Sequence, residues 1–180
     1  MKRILGQRFF THSAPVVAER LIGTFLVRRQ GRRERAYLVT ETEAYDGFDD
    51  KASHAARGKT ARNSVMFGDA GHWYVYLIYG MHCMLNVVTG KRGYPSAVLI
   101  RGVAAIVGPG KLTRELHITR GFNKKPAARR TKLWFETRGA HVSRNAIRRT
   151  ARIGVSYAGK KWANKKWRFV YCESQQRGRA

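Results

Sequence analysis

A chain of 180 residues that is 43% hydrophobic and 11% aromatic is long enough to bury one core and too apolar to be disordered. Its 36 Lys and Arg stand against 11 Asp and Glu, a net charge of +25 with a sequence pI near 11.2, and such self-repulsion calls for a polyanionic partner, nucleic acid before any other. No apolar run reaches the length of a membrane span, no basic helix carries a clean apolar face for a membrane surface, and Cys83 and Cys172 fit neither a disulfide framework nor a metal site.

In chain order, MKRILGQRFF is basic without the apolar region of a secretory signal, so an intracellular, nucleic-acid-containing compartment is expected. HSAPVVAERLIG reads as a short helix, with Ser13 as cap, Pro15 in the first turn, Val17 and Leu21 on the apolar face and Gly23 as the stop. TFLVRR is a strand that runs into the basic turn RRQGRRER. From Tyr37, alternation predicts a second strand with Tyr37, Val39, Glu41, Glu43 and Tyr45 on one face and Leu38, Thr40, Thr42 and Ala44 on the other.

GHWYVYLIYGMHCMLNVVTG, rich in β-branched and aromatic residues, predicts a hairpin with its tip near Tyr79 and Gly80. SAVLIRGVAAI predicts a further strand, and GPGKLTRELHI a helix on which Leu112 and Leu116 share a face. NKKPAARR reads as a flexible loop. From Arg120 onward there are 18 Lys and Arg against Glu136 and Glu173. RIGVSYAG and WRFVYC still interleave strand-like apolar residues with the charge, so the reading is a folded basic face with a loose tail over 174–180. Nothing marks a linker or a repeat, and one domain over 1–180 is expected.

Against this basic background, ETEAYDGFDDKASHAARG is acidic: Glu41, Glu43, Asp46, Asp49 and Asp50 fall within ten positions. A Glu on a half-buried strand is unfavourable unless hydrogen-bonded, and burial raises its proton affinity toward that of a general base, which singles out Glu43. For Glu41 and the three Asp residues the plainer reading is surface pairing with arginines. Tyr45, Tyr74, Tyr76 and Tyr79 cluster around the same two segments. Trp73 and Tyr74 read as sheet packing, whereas a tyrosine at a hairpin tip suits a wedge entering a base stack. AIVGPGKLT lacks the glycine spacing and the Ser or Thr of a nucleotide-binding phosphate loop, but its Gly-Pro-Gly helix start offers free N–H groups to a phosphate.

Taken together, ETEAYDGFDDKASHAARGKTARNSVMFG, GHWYVYLIYGMHCMLNVV, AVLIRG and GPGKL resemble, in order, the signature blocks of the alkyladenine (3-methyladenine) DNA glycosylases, with weaker similarity from VVAERLIG to RIGVSYAG. The helix-hairpin-helix DNA glycosylases do not fit, because no Asp follows Asp69. The resemblance implies an α+β domain built on a curved antiparallel sheet with surrounding helices, and a protruding hairpin that enters the DNA minor groove. It implies Glu43 as general base and Arg101 beside the water and target phosphate. Tyr45, His54 and Tyr76 would stack around the extruded base, Asn86 would obstruct the 2-amino group of guanine, and Tyr79 would fill the vacancy in the duplex. Thr60, Arg62, Met81 and Lys111 fall in blocks that touch DNA in the family.

The implied partner is double-stranded DNA with damaged purines: 3-methyladenine and 7-methylguanine, with hypoxanthine and ethenoadenine left open. No cofactor is implied, and a monomer is expected, since a target-searching enzyme needs only one base pocket. No lysine occupies the matched pocket positions, so hydrolysis without strand-cleaving lyase chemistry is expected. NKKPAARRTKLWFETRG is more basic than the family pattern, and RFVYCESQQRGRA departs from its usual ending. Two other readings fit the charge alone: a non-catalytic DNA-architectural module wedged by Tyr79, and an RNA-binding protein. The carboxylate at Glu43 favours the enzyme, since a pure binding module has no use for one facing phosphate.

Overall fold

The structure, a computed structural model, describes residues 1–139 and 142–172. It opens with strand β1 (Arg3–Ile4), helices α1 (Gln7–Phe10) and α2 (Ala14–Leu21), and strands β2 (Phe25–Gln30) and β3 (Arg33–Asp46). The expected hairpin follows as β4 (Trp73–Ile78) and β5 (His82–Val88), then strands β6 (Ser96–Val103) and β7 (Ile106–Val107) and helix α3 (Pro109–Glu115). Strands β8 (Leu133–Thr137) and β9 (Ile147–Thr150), helix α4 (Lys160–Ala163) and strand β10 (Arg168–Tyr171) complete it. The sheet is antiparallel in the order β1-β8-β2-β3-β6-β5-β4, with β10 paired to β3 and β9, and β7 to β6. This is the single α+β domain expected.

The long strand β3 organises the rest. Its first half, Arg33–Leu38, pairs with β2, while Glu41–Glu43 lies between β6 and β10. Between the two halves the register with β6 slips twice: Thr40 is the extra residue on β3 and Arg101 the extra one on β6. Such bulges re-aim side chains. Val39 therefore lies in the main core and Tyr37 packs against it, on the side of Thr42 and Ala44, and only Glu41, Glu43 and Tyr45 keep the opposite face. Unbroken alternation was the wrong expectation for Tyr37 and Val39, because one inserted residue reverses every side chain before it.

Helix α2 lays Ala14, Val17, Ala18 and Leu21 onto β3 and β6, and the Thr42 hydroxyl donates to the Ala18 carbonyl at 2.9 Å. Ser13 occupies the cap position without a side-chain cap bond. Asp46 does that work instead, its Oδ1 accepting the Ala14 N–H at 3.2 Å. Gly23 ends the helix region at φ +83, where an added Cβ would lie 2.3 Å from Val142 Cγ2. Helix α3 packs on β5 and β6 and buries Leu112, with Leu116 just past its end also in the core, where Phe135 meets Phe10 and Trp73.

Two further expectations change. NKKPAARR is tied down: Trp73 N–H donates to the Lys125 carbonyl at 2.8 Å, Ala127 N–H to Gly71 at 2.7 Å, and the Thr131 hydroxyl to Pro126 at 2.7 Å. The first of these bonds, with the Lys124 N–H donated to the Trp73 carbonyl at 2.9 Å and the Val75 N–H to Asn123 Oδ1 at 3.0 Å, gives edge strand β4 partners where it would otherwise present a free edge. RIGVSYAG is no strand but a bend and a 3₁₀ turn (Ser156–Ala158) that buries Val155 and Ala158 beside Ala52. The tail over 174–180 lies outside the described residues. No described helix is long and apolar enough to cross a membrane.

Candidate active site

Opposite α2, the sheet presents one rung across four strands. Glu43 on β3 pairs with Leu99 on β6, Leu99 with Asn86 on β5, and Asn86 with Tyr74 on β4. Two residues farther along β3, Tyr45 stands opposite Ala97, and Tyr76 stands opposite Met84 within the hairpin. Period-two alternation with these registers puts all of those side chains on one face. Above them is a cavity of about 510 Å³, lined by Tyr45, His54, Tyr76, Asn86 and Arg101 among others. The volume is in the ~300–1,000 Å³ range of small-ligand sites.

Glu43 is fully buried beside this cavity, between two neighbouring strands. Its Oε1 accepts the Ile153 backbone N–H at 2.8 Å, its Oε2 accepts the Tyr45 hydroxyl at 2.9 Å, and the Arg101 Nε stands 3.5 Å from Oε1. Burial nevertheless dominates and holds the Glu43 carboxyl above the ordinary range, with Arg101, the Ile153 N–H and the Tyr45 hydroxyl pulling the other way. Arg101 Nε donates to Glu41 Oε1 at 2.9 Å, and the same oxygen accepts from Arg168 at 2.6 Å. Glu41 is thus buried under two guanidinium groups, not paired at the surface as expected.

The aromatic wall is cross-braced. His54 Nδ1 lies 3.0 Å from the Tyr74 hydroxyl, and its ring meets that of Tyr76 edge-on at 4.6 Å between centroids. The protein around the His54 ring, then the Arg62 charge, lower its pKa below ordinary imidazole. Burial pushes Tyr74 up to about 12 and Tyr76 and Tyr45 higher than ordinary phenols, so these hydroxyls stay protonated and neutral at physiological pH. Arg62 lies over the Tyr76 ring at 5.0 Å and donates to the Leu77 carbonyl at 2.9 Å. Asn86 Nδ2 donates to the Tyr74 and Met84 carbonyls at 3.1 and 3.3 Å, which fixes the amide on the cavity floor.

At the mouth, Tyr79 and Gly80 form the hairpin tip with φ of 52° and 71°, and Met81 N–H closes the turn onto Ile78 at 3.2 Å. Positive φ at both central positions suits a turn that follows the strand twist. It leaves Tyr79 84% and Met81 71% exposed.

The family described as Methylpurine-DNA glycosylase (MPG) matches residues 8–107 and 104–175. The chain belongs to the methylpurine-DNA glycosylase family. It is 42% identical over 180 residues to a protein of Myxococcus xanthus (strain DK1622), covering 95% of this chain and 91% of that one. It is 45% identical over 174 residues to one of Anaeromyxobacter dehalogenans (strain 2CP-C), with 92% and 82% covered. A relative from Methanocella arvoryzae is 42% identical over 186 residues, with 92% and 91% covered. All three bear the name "Putative 3-methyladenine DNA glycosylase".

In this glycosylase the cavity lining gathers Tyr45, His54, Arg62, Tyr76, Tyr79, Asn86 and Arg101, with Glu43 bonded to Tyr45 behind it. Thr60, Met81 and Lys111 are exposed and lie outside the lining. Thr60 belongs to a tight turn with Asn63, whose amide also donates to the His54 and Gly58 carbonyls at 2.9 Å. Pro109 and Gly110, from the Gly-Pro-Gly helix start, stand at the rim. Among the described residues no group of three or more His, Cys, Asp or Glu comes together as metal ligands would.

Sequence reasoning missed four contributors. Tyr74, read as sheet packing, holds His54. Ile153 reaches Glu43 through a backbone N–H, which no side chain advertises. Tyr157 lines the cavity while 71% exposed, and its block, RIGVSYAG, carried the only signal as part of the weaker resemblance. Asp50, read as a surface acid, is fully buried against Arg152.

Proposed function

We propose that this protein excises alkylated purines, 3-methyladenine and 7-methylguanine foremost, from duplex DNA by hydrolysing the N-glycosidic bond with water activated by Glu43. The observation that carries this reading is a buried carboxylate of raised pKa beside a cavity walled by tyrosines, under an exposed tyrosine at a hairpin tip. A base inside a duplex is unreachable, so it is extruded at a cost of a few kcal/mol, smallest for a weakly paired or damaged base. Tyr79 fills the gap it leaves, as wedges of minor-groove proteins do. The extruded base stacks among Tyr45, His54 and Tyr76, where a positive charge on an alkylated ring is favoured by the aromatic faces. Asn86 obstructs the 2-amino group of normal guanine.

Glycosidic cleavage passes through an oxocarbenium-like state. The C1′–N bond breaks and its electron pair neutralises the cationic purine. Water forms the new bond at C1′ and gives its proton to Glu43. Arg101 orients that water and the target phosphate. One carboxylate suffices because a cationic purine leaves without further protonation. A neutral lesion needs a proton, and His54, with its pKa lowered, is a poor source of one. Single-turnover release is therefore expected to be fastest for 3-methyladenine and 7-methylguanine and much slower for hypoxanthine, leaving abasic DNA uncut. Tight binding without base release would sink the reading in favour of a binding module, and a borohydride-trapped adduct would overturn hydrolysis without lyase chemistry. One pocket serves one base, so the active form is a monomer.

Tyr79→Ala separates extrusion from chemistry. It should slow release from duplex DNA on the order of tenfold or more, from the ~1–3 kcal/mol that a stacked aromatic supplies per base. The loss should shrink when the lesion lies opposite an abasic site and is already unpaired. Equal losses on both substrates would remove Tyr79 from the extrusion step.

A further inference from the structure

We infer that Asp50 and Arg152 act as a buried positioning pair for the reaction, holding the 152–158 turn and the Tyr45 ring so that both of their hydrogen-bond donors meet the Glu43 carboxylate. This rests on the reading of Glu43 as the base. The two side chains are fully buried. Arg152 Nη2 donates to Asp50 Oδ1 at 2.8 Å, and Nη1 donates to the other carboxylate oxygen and to the Ala44 carbonyl, the latter at 2.9 Å. A further bond runs from Nη2 to the Trp162 carbonyl at 3.3 Å. The guanidinium lies over the Tyr45 ring at 4.9 Å and the Trp167 ring at 5.1 Å.

These contacts join the two ends of the site. Ala44 sits between Glu43 and Tyr45 on β3, and Arg152 directly precedes Ile153, whose N–H reaches Glu43 Oε1. Asp50 is anchored in turn, its oxygens accepting the Ala52 N–H at 3.1 Å and the Asp46 N–H at 3.3 Å. Tyr157 fastens the far end of the turn, donating to the Ala52 carbonyl at 3.1 Å. Geometry of this kind is fork-shaped and planar, which an arginine meets and a lysine cannot. Among the described residues the Arg152 Nε meets no partner, and the guanidinium's bonds all leave from its two terminal nitrogens, toward Asp50, Ala44 and Trp162.

Arg152→Lys keeps a positive charge opposite Asp50 but loses the fork and the flat stack on Tyr45. Besides the Asp50–Arg152 pair itself, whose net charge the substitution preserves, the charged and titratable groups around Glu43 are Glu41 and Tyr45 on β3, Arg101 on β6, Arg168 on β10 and Tyr76 on β4, and the substitution leaves all of them in the sequence. What it loosens is the Ile153 N–H and Tyr45 hydroxyl bonds, both of which favour ionised Glu43. In Arg152→Lys, which keeps the charge balance with Asp50, the acid limb of single-turnover release of 7-methylguanine should move to higher pH by about one unit, a tenfold loss on that limb. Affinity for duplex DNA should hold.

The carbon-13 titration of the Glu43 carboxyl, assigned by its absence in Glu43→Gln, should move by the same amount. A merely structural pair would lower the Tm and leave that titration in place. If that variant fails to fold, Asp50→Asn with Arg152→Gln removes both charges together and is read in the same way. An unmoved Glu43 titration in a folded variant overturns the proposal. If the unsubstituted protein releases no base, the enzymatic reading falls, while the carbon-13 titration still decides whether the pair controls Glu43.

Discussion

Glu43→Gln is expected to abolish base release, by on the order of 10²–10⁴-fold, and at the same time to make the protein more stable at neutral pH. The chemical loss follows from removing the carboxylate proposed above as the group that takes a proton from water. The gain follows from burial. Glu43 is fully buried, and burial is the largest influence on its carboxyl, raising it above the ordinary value of 4.5. Between that value and the higher one of the folded protein, the folded state holds a proton that the unfolded state has released. Stability of the unsubstituted protein therefore falls as pH rises through this window.

Glutamine does not titrate and keeps an oxygen for the Ile153 N–H. Its advantage should be present above the folded-state pKa of Glu43 and disappear below about pH 4.5, where the glutamate is protonated in both states. Urea titrations of both proteins at pH 4, 6 and 8 test this, beside single-turnover release. Stability curves that run parallel across that range would mean that Glu43 is not held ionised against its burial. A variant that still releases 7-methylguanine would move the base elsewhere.

Asp50→Ala should produce the larger structural effect. Among the described residues, it leaves the Arg152 guanidinium buried with two carbonyl partners, an unpaired Nε and no counter-charge. Breaking a buried pair from one side costs about 3–5 kcal/mol, because the remaining charge cannot regain water. The Ala52 and Asp46 N–H bonds to the same carboxylate are lost as well. Asp69 is a suitable comparison: it accepts two bonds from Arg92 at 2.7 and 2.8 Å, but on the open surface. There water replaces the partner, and Asp69→Ala should change the denaturation midpoint little. Equal midpoints for the two variants would show that Arg152 escapes to solvent when Asp50 is removed.

The acidic stretch from Glu41 to Asp50 shows how far the sequence could be read. Period-two spacing was enough to put Glu43 and Tyr45 on one face, and the bond between them bears that out. The same spacing misled for Tyr37 and Val39, because the slips at Thr40 and Arg101 leave no mark in composition. Local chemistry also identified the hairpin tip, since Tyr79-Gly80 supplies its own turn. It did not distinguish buried from exposed carboxylates. Glu41, Asp46 and Asp50 read as surface acids, yet one lies under two arginines, one accepts a helix N-terminal N–H, and one is sealed against Arg152. Their partners stand far away in the chain, Arg152 by 102 positions.

By itself the sequence determined the basic character, the hairpin with its tyrosine tip and the placing of Glu43 and Tyr45 on one strand face, and its signature blocks pointed to the glycosylase family. These depend on composition, on period-two geometry and on motifs that lie within a few residues of each other. Only the tertiary structure decided the rung that aligns Glu43, Leu99, Asn86 and Tyr74, the backbone N–H of Ile153 on Glu43, and the union of Asp50 with Arg152. Strand register, backbone donors and desolvation are properties of surfaces brought together by folding, and a linear pattern carries no record of which surfaces those are.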